Sequence, residues 1–172
     1  MNIKTFRLYM ILPLLFLSLL ATSSIGQNSK LITGTVGKEH MVGEKLVVCE
    51  LGSQACLFLS LDPGLTITVD GKEYKAKDLQ VGWYVQAKVE TVEKLGQTIT
   101  DLVVDPTKTI ICFTSLTEED SEVVEKQLLA VKGIYKVKPY LESKQIYIEY
   151  NPDSISYPEI EKLIIRSGYK IE

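Results

Sequence analysis

Apolar and polar positions follow two different rhythms along this chain, and the change falls near Pro106. Over residues 30–105 apolar side chains recur at the two-residue period of half-buried strands, interrupted by turn residues. Strands are predicted over 31–36, 45–49, 56–61 and 65–69. Asp70-Gly71 then offers the pair favoured in a tight hairpin turn, with a short return strand over 73–75. A long strand over 83–92 turns at 93–96 and is expected to pair with 97–104. So many short strands in one span predict a small all-β barrel or sandwich.

Beyond Pro106 the period becomes helical. Val124, Leu128 and Val131 fall at i, i+4 and i+7, which predicts an amphipathic helix over 118–132 ended by Gly133. A second helix is predicted over 156–168, with Ile160, Leu163 and Ile164 on one face and a capping box at Ser156 and Glu159. Between them, 134–141 and 145–150 read as a hairpin turning at 142–144. The order β-α-β-β-α-β predicts a four-stranded antiparallel sheet covered on one side by two helices, the ferredoxin-like arrangement. The expected fold class is therefore α+β: an N-terminal, OB-like all-β barrel domain over 30–105 and a C-terminal ferredoxin-like βαββαβ domain over 108–172. The joint is the segment 104–108, where proline stops a strand and stiffens a short connection.

The beginning of the chain follows neither rhythm. Lys4 and Arg7 precede an apolar run over 9–21 that ends in small residues, the layout of a secretory signal peptide. The run is shorter than the roughly 20 residues that a bilayer core requires, so no stable membrane span is expected after cleavage. Ser24-Ile25-Gly26 fits the small-x-small preference and predicts a signal peptide over 1–26, with Ala21-Thr22-Ser23 as the competing site. No cysteine stands near either position, which argues against a lipid-modified start. The expected destination is periplasmic or extracellular.

Composition narrows the function further. The formal net charge is −3 and both halves are acidic, so nothing attracts nucleic acid electrostatically. OB-type barrels bind oligonucleotides or sugars through aromatic and basic faces, but the single tryptophan, Trp83, alternates with Val85, Ala87 and Val89 as a core residue would. The stretch 77–89 resembles the "DLxVGxxVxVxV" opening of small exported β-barrel domains. With one histidine and no glycine-rich phosphate loop, enzymatic constellations have no support, and a non-enzyme is expected.

Three cysteines in an exported protein call for a redox account. Cys49 and Cys56 flank a turn-rich loop and would end neighbouring antiparallel strands, at a separation a disulfide can span. Two readings compete with that bridge: a pair of buried thiols, or a soft-metal site. For the second, His40 and Met41 in the loop 37–43 would add imidazole and thioether to two thiolates, a donor set suited to an ion such as Cu(I). Cys112, in the apolar run 109–113, reads as a buried strand residue.

The run Val124-Glu-Lys-Gln-Leu-Leu-Ala-Val-Lys-Gly-Ile134, then Ile146-Tyr-Ile-Glu-Tyr-Asn-Pro152, then 160–170 ending in Ser167-Gly-Tyr169, resembles the heavy-metal-associated domain family over residues 108–172. Small copper chaperones, the periplasmic mercury-binding protein and the N-terminal modules of copper-pumping ATPases typify that family. The resemblance implies the ferredoxin-like fold, and its soft-metal chemistry resides in GMTCxxC, a loop entering the first helix. Here the two cysteine positions are taken by Thr117 and Asp120, which supply no thiolate.

The replacements have their own logic. Thr117 and Asp120 can complete a capping box, and Glu118, Glu119 and Asp120 set negative charge against the positive end of the helix dipole. Alternatively Glu118, Glu119, Asp120 and Glu122 form an acidic docking surface for a basic partner. The expectation from sequence is an exported, non-enzymatic accessory protein using a degenerate heavy-metal-associated domain as a scaffold for a protein partner in the cell envelope. No cofactor is expected. The alternative is a metal-handling protein, holding a soft ion such as copper with ligands moved to the β-domain.

Overall fold

Ten strands and two short helices make up residues 29–172, which the computed structural model describes; the apolar run over 9–21 and the cleavage positions lie outside the described residues. In chain order the strands are β1 (Lys30–Val42), β2 (Lys45–Glu50), β3 (Cys56–Leu61), β4 (Ile67–Val69), β5 (Lys72–Tyr74), β6 (Tyr84–Val92), β7 (Gly96–Asp105) and β8 (Lys108–Cys112). Helix α1 (Glu118–Leu129), strands β9 (Ile134–Tyr140) and β10 (Gln145–Tyr150) and helix α2 (Tyr157–Arg166) follow.

Strands β1, β2, β3, β7 and β6 close into a barrel in that order. Closure comes from a parallel contact of β3 with β7, Ser60 opposite Thr98 and Leu61 opposite Ile99. The alternation of apolar positions puts Ile32, Val36, Leu46, Val48, Leu59, Val85, Ala87 and Ile99 inside. The β4–β5 hairpin, turning through positive φ at Asp70 and Gly71, adds Ile67 and Val69 to the same core. Trp83 is half-buried against that core, with the Tyr74 ring edge-on at 5.6 Å. The segment 37–43, expected to be a loop, is strand: β1 runs on through an irregularity between Val36 and Met41 and turns at Gly43.

The fold class expected from sequence does not hold. Strands dominate, and the sheet after Pro106 has three members, in the order β8-β10-β9, instead of four. After α2 the chain meets the β8 edge only at a single bridge, Phe113 with Ile171. Two backbone bonds frame it, Thr114 N to Lys170 O at 3.1 Å and Glu172 N to Cys112 O at 3.0 Å. Nor is the barrel a separate OB-like domain, because it packs on this sheet. Helices cover the face carrying Ile111, Ile146, Ile148 and Val137. The opposite face carries Ile110, Cys112, Gln145 and Tyr147, and the barrel lies against it. Neighbouring residues of β8, Ile110 and Ile111, point to opposite faces and are both buried. A strand apolar on both faces needs cover on both.

Gly82 fixes one of these contacts. Its N–H donates to Val36 O at 2.9 Å, and its φ of 83° lies in the left-handed region. A Cβ here would clash with one edge of the Tyr157 ring, at the first residue of α2. Glycine is required twice over, for the backbone angle and for the close approach. Gly82→Ala should therefore destabilise the protein by about 1 to 3 kcal/mol, and by distinctly less in a Tyr157→Ala background; equal losses in a denaturant double-mutant cycle would show that Tyr157 does not set the constraint.

The turn from barrel to sheet is held by charge. Asp105 accepts from Thr107 N at 3.0 Å and Thr107 Oγ1 at 2.6 Å, and pairs with Lys108 Nζ at 2.7 Å. Burial alone would raise the Asp105 carboxyl, but the hydrogen bonds from Lys108 and Thr107 outweigh it and hold the group below the usual range. A carboxyl depressed in the folded state contributes stability above its unfolded value, about 3.9 for aspartate, and loses it as pH falls through the folded value. Asp105→Asn should thus show a shallower decline of melting temperature below about pH 4 than the parent protein.

Candidate functional site

Helix α1 begins where the resemblance places a metal loop, and the side chains there are engaged with one another. Thr117 is the N-cap, with Asp120 N donating to its Oγ1 at 3.1 Å. Asp120 Oδ2 accepts from Thr117 N at 3.2 Å and from Thr117 Oγ1 at 2.7 Å. The capping box engages Thr117 Oγ1 and Asp120 Oδ2 with each other and with the helix N–H groups. Glu118, Glu119 and Glu122 are exposed; Glu118 and Glu122 share one helix face at i, i+4, with Glu119 about 100° round from Glu118.

Cys49 and Cys56 face each other in register at the ends of β2 and β3, with Cα atoms 3.9 Å apart, and are disulfide-bonded. His40 and Met41 are elsewhere. Cys49 lies opposite Thr35 of β1, whereas Met41 lies opposite Leu46. The His40 ring is hydrogen-bonded to Lys77 O at 3.2 Å, and Met41 packs against the barrel core. The four residues Cys49, Cys56, His40 and Met41 are therefore not assembled, and among the described residues no three histidine, cysteine or carboxylate side chains stand close enough to hold a metal ion.

What the fold brings to the bridge is the third cysteine. Cys112 at the end of β8 lines the same cavity of about 150 Å³ as Cys49 and Cys56, together with Lys38, Tyr157 and Glu172. Gln145, directly opposite Cys112 in the sheet, is fully buried. Its Oε1 accepts from Gly52 N at 2.7 Å; its Nε2 donates to Glu50 O at 2.9 Å and Ser53 O at 2.8 Å, and contacts Cys112 Sγ at 3.4 Å. One amide thus ties the loop between the bridged cysteines to the strand that carries the free one. Burial pushes the Cys112 thiol up, with Glu172 adding to the effect, while the Gln145 N–H and Lys38 act in the opposite direction. The sequence showed three cysteines but not that they line one cavity, because the link runs from the 50–53 segment of the barrel to the sheet through a buried glutamine distant in the chain.

A second concavity separates the two helices. Val131, Ile155 and Leu163 floor a cavity of about 420 Å³ edged by Lys132, Lys162 and Arg166. It continues into one of about 130 Å³ floored by Val124, Leu128 and Leu163. The three cations are exposed, and none forms a salt bridge among the described residues. The one carboxylate on the edge, Glu159, is held by Ser156, accepting from its N at 2.8 Å and its Oγ at 2.7 Å. These backbone and side-chain hydrogen bonds keep Glu159 below the usual carboxylate range. The groove is apolar below and cationic above.

A third cleft, of about 360 Å³, lies between barrel and α2 and is lined by Trp83, Tyr150, Tyr157, Pro152 and Pro158. Its one acid, Glu161, accepts from the Tyr157 hydroxyl at 2.8 Å. Burial, with Glu161 beside it, pushes the Tyr157 phenol far up, so it stays protonated across the physiological range.

Comparison with known proteins gives a distant structural likeness. No family model matches the sequence, and no curated protein matches it. Among solved structures, the water-soluble region of the P-type ATPase CopA from Bacillus subtilis is similar, at 16% identity over 85% of this chain and 91% of that one, with a TM-score of 0.36. Among the described residues no helix is long and apolar enough to cross a membrane.

Thr117→Ala should lower stability by about 1 kcal/mol, since it removes the acceptor for Asp120 N and leaves a helix-end donor uncapped. Glu119→Gln, which removes only an exposed charge near the dipole, should cost less. Denaturant midpoints of the two variants would separate them, and equal effects would remove the cap from the account.

Proposed function

We propose that this protein is an exported, non-catalytic accessory protein that binds an acidic, amphipathic segment of a partner in the groove between α1 and α2. The groove carries the reading. Its apolar floor offers surface to bury, and three exposed cations along its edge, without salt-bridge partners among the described residues, select for negative charge. Charged rims govern encounter and specificity more than affinity, which suits a reversible contact. Export is supported by Lys4 and Arg7 before the apolar run and by the Cys49–Cys56 bridge, a bond that persists in oxidising compartments.

The test is a panel of synthetic helical peptides sharing one apolar face, with acidic, neutral or basic residues on the other. Acidic peptides should move the amide resonances of Val131, Lys132, Leu163 and Arg166, with binding weakened by salt. Lys162→Glu combined with Arg166→Glu should reduce that affinity about tenfold or more and favour the basic peptide instead. Shifts that map away from the groove, or show no preference for charge, would overturn the reading.

A further inference from the structure

The groove leaves unexplained why a free thiol and a disulfide line one cavity on the other side of the sheet. We propose that Cys49, Cys56 and Cys112 form a thiol–disulfide exchange site, in which Cys112 is the internal nucleophile and the Cys49–Cys56 bridge its acceptor. All three residues line one cavity of about 150 Å³. The loop inside the bridge and the strand bearing Cys112 are held together by a single amide, since Gln145 Nε2 contacts Glu50 O, Ser53 O and Cys112 Sγ. Cys56 is exposed and its bridge is not sealed in the core.

The step is balanced within the chain. Solvent base removes the Cys112 proton, and the thiolate attacks one sulfur of the bridge. The Cys49–Cys56 bond breaks as a bond from Cys112 to Cys49 or Cys56 forms, and the displaced thiolate takes up a proton from water. Nothing is oxidised or reduced overall. The free thiol moves from a half-buried position on β8 to the β2–β3 end, where an external disulfide can reach it. The groups facing Cys112 are Lys38 on β1, Tyr157 on α2 and Glu172 in the tail, with Gln145 beside it on β10. Of these only Lys38 is cationic at neutral pH, and burial keeps the thiol protonated, so the site rests in the Cys49–Cys56 form and responds to alkaline pH.

The experiment holds the folded, unreduced protein at a series of pH values from 7 to about 10, quenches with acid, alkylates under denaturing conditions and maps the peptides. A disulfide containing Cys112 should form, and its rate should rise about tenfold per pH unit until Cys112 ionises. The rate should be independent of protein concentration and absent in Cys112→Ser, whose melting temperature confirms that it is folded. Gln145→Glu, which replaces the donor to sulfur by a carboxylate, should slow the exchange at a given pH. If Cys112 remains the sole alkylated cysteine throughout, or Cys112-containing bridges form only in denaturant or only between molecules, the proposal is overturned.

Discussion

The buried amide of Gln145 is the contact on which the arrangement of this molecule depends. A glutamine with no exposed surface must find partners for its carbonyl and its N–H groups, because an unmet buried polar group costs on the order of 1–3 kcal/mol. Every protein partner it has beyond its own sheet lies in the loop 50–53 of the barrel. Sliding the barrel by one residue would leave Gly52 N without its acceptor and Ser53 O without its amide donor, while Glu50 O would keep only Ser53 N. Apolar contacts such as Ile110 and the Tyr84–Tyr147 edge-on pair at 5.9 Å add burial but tolerate small shifts. The amide supplies the register, and the apolar residues supply the area.

This contact also explains where the sequence was legible and where it was not. Helical periodicity located α1 and α2 to within a few residues, because each helix buries one stripe and exposes the rest. The Asp70-Gly71 turn was readable for the same local reason. Association of the sheet with the barrel was not, although β8 carried the sign of it: residues 109–113 are apolar at consecutive positions, which a sheet with one free face does not need. The element order β-α-β-β-α-β by itself implies a four-stranded sheet covered on one side only. The short fourth strand was equally hidden, since residues 169–172 have strand-like content but pair at one bridge, while Tyr169 turns its ring onto Phe113 at 6.2 Å.

Function follows from which polar groups the fold engages and which it leaves free. At the start of α1 the acceptors of Thr117 and Asp120 are directed to each other and to the helix N–H groups, so that end of the molecule has stability as its physical role. At the groove the reverse holds. Lys132, Lys162 and Arg166 extend from an apolar floor without salt-bridge partners among the described residues, and Glu159, the group best placed to neutralise them, is directed to Ser156 instead. The rim keeps a net positive charge, three cations against one ionised carboxylate that also lies in the field of Lys162. A chain acidic overall, with a net charge of −3, presents a positive edge beside a concavity of about 420 Å³.

Sulfur pairing and barrel seating meet at the loop between Cys49 and Cys56. Closing so short a ring contributes about 2 to 3 kcal/mol in the chain-entropy account, but its position matters more than its magnitude. The bridge fixes both ends of the segment whose Glu50 and Ser53 carbonyls receive Gln145. With the ends fixed, the carbonyls are pre-positioned and the amide meets them without ordering a loop. If the bridge moves to Cys112, one end of that segment is released and the other is drawn to β8, so the same three bonds must form from a different loop geometry. Sulfur pairing and the seating of the barrel on the sheet are therefore linked through one side chain, and any change in the first acts on the second at Gln145.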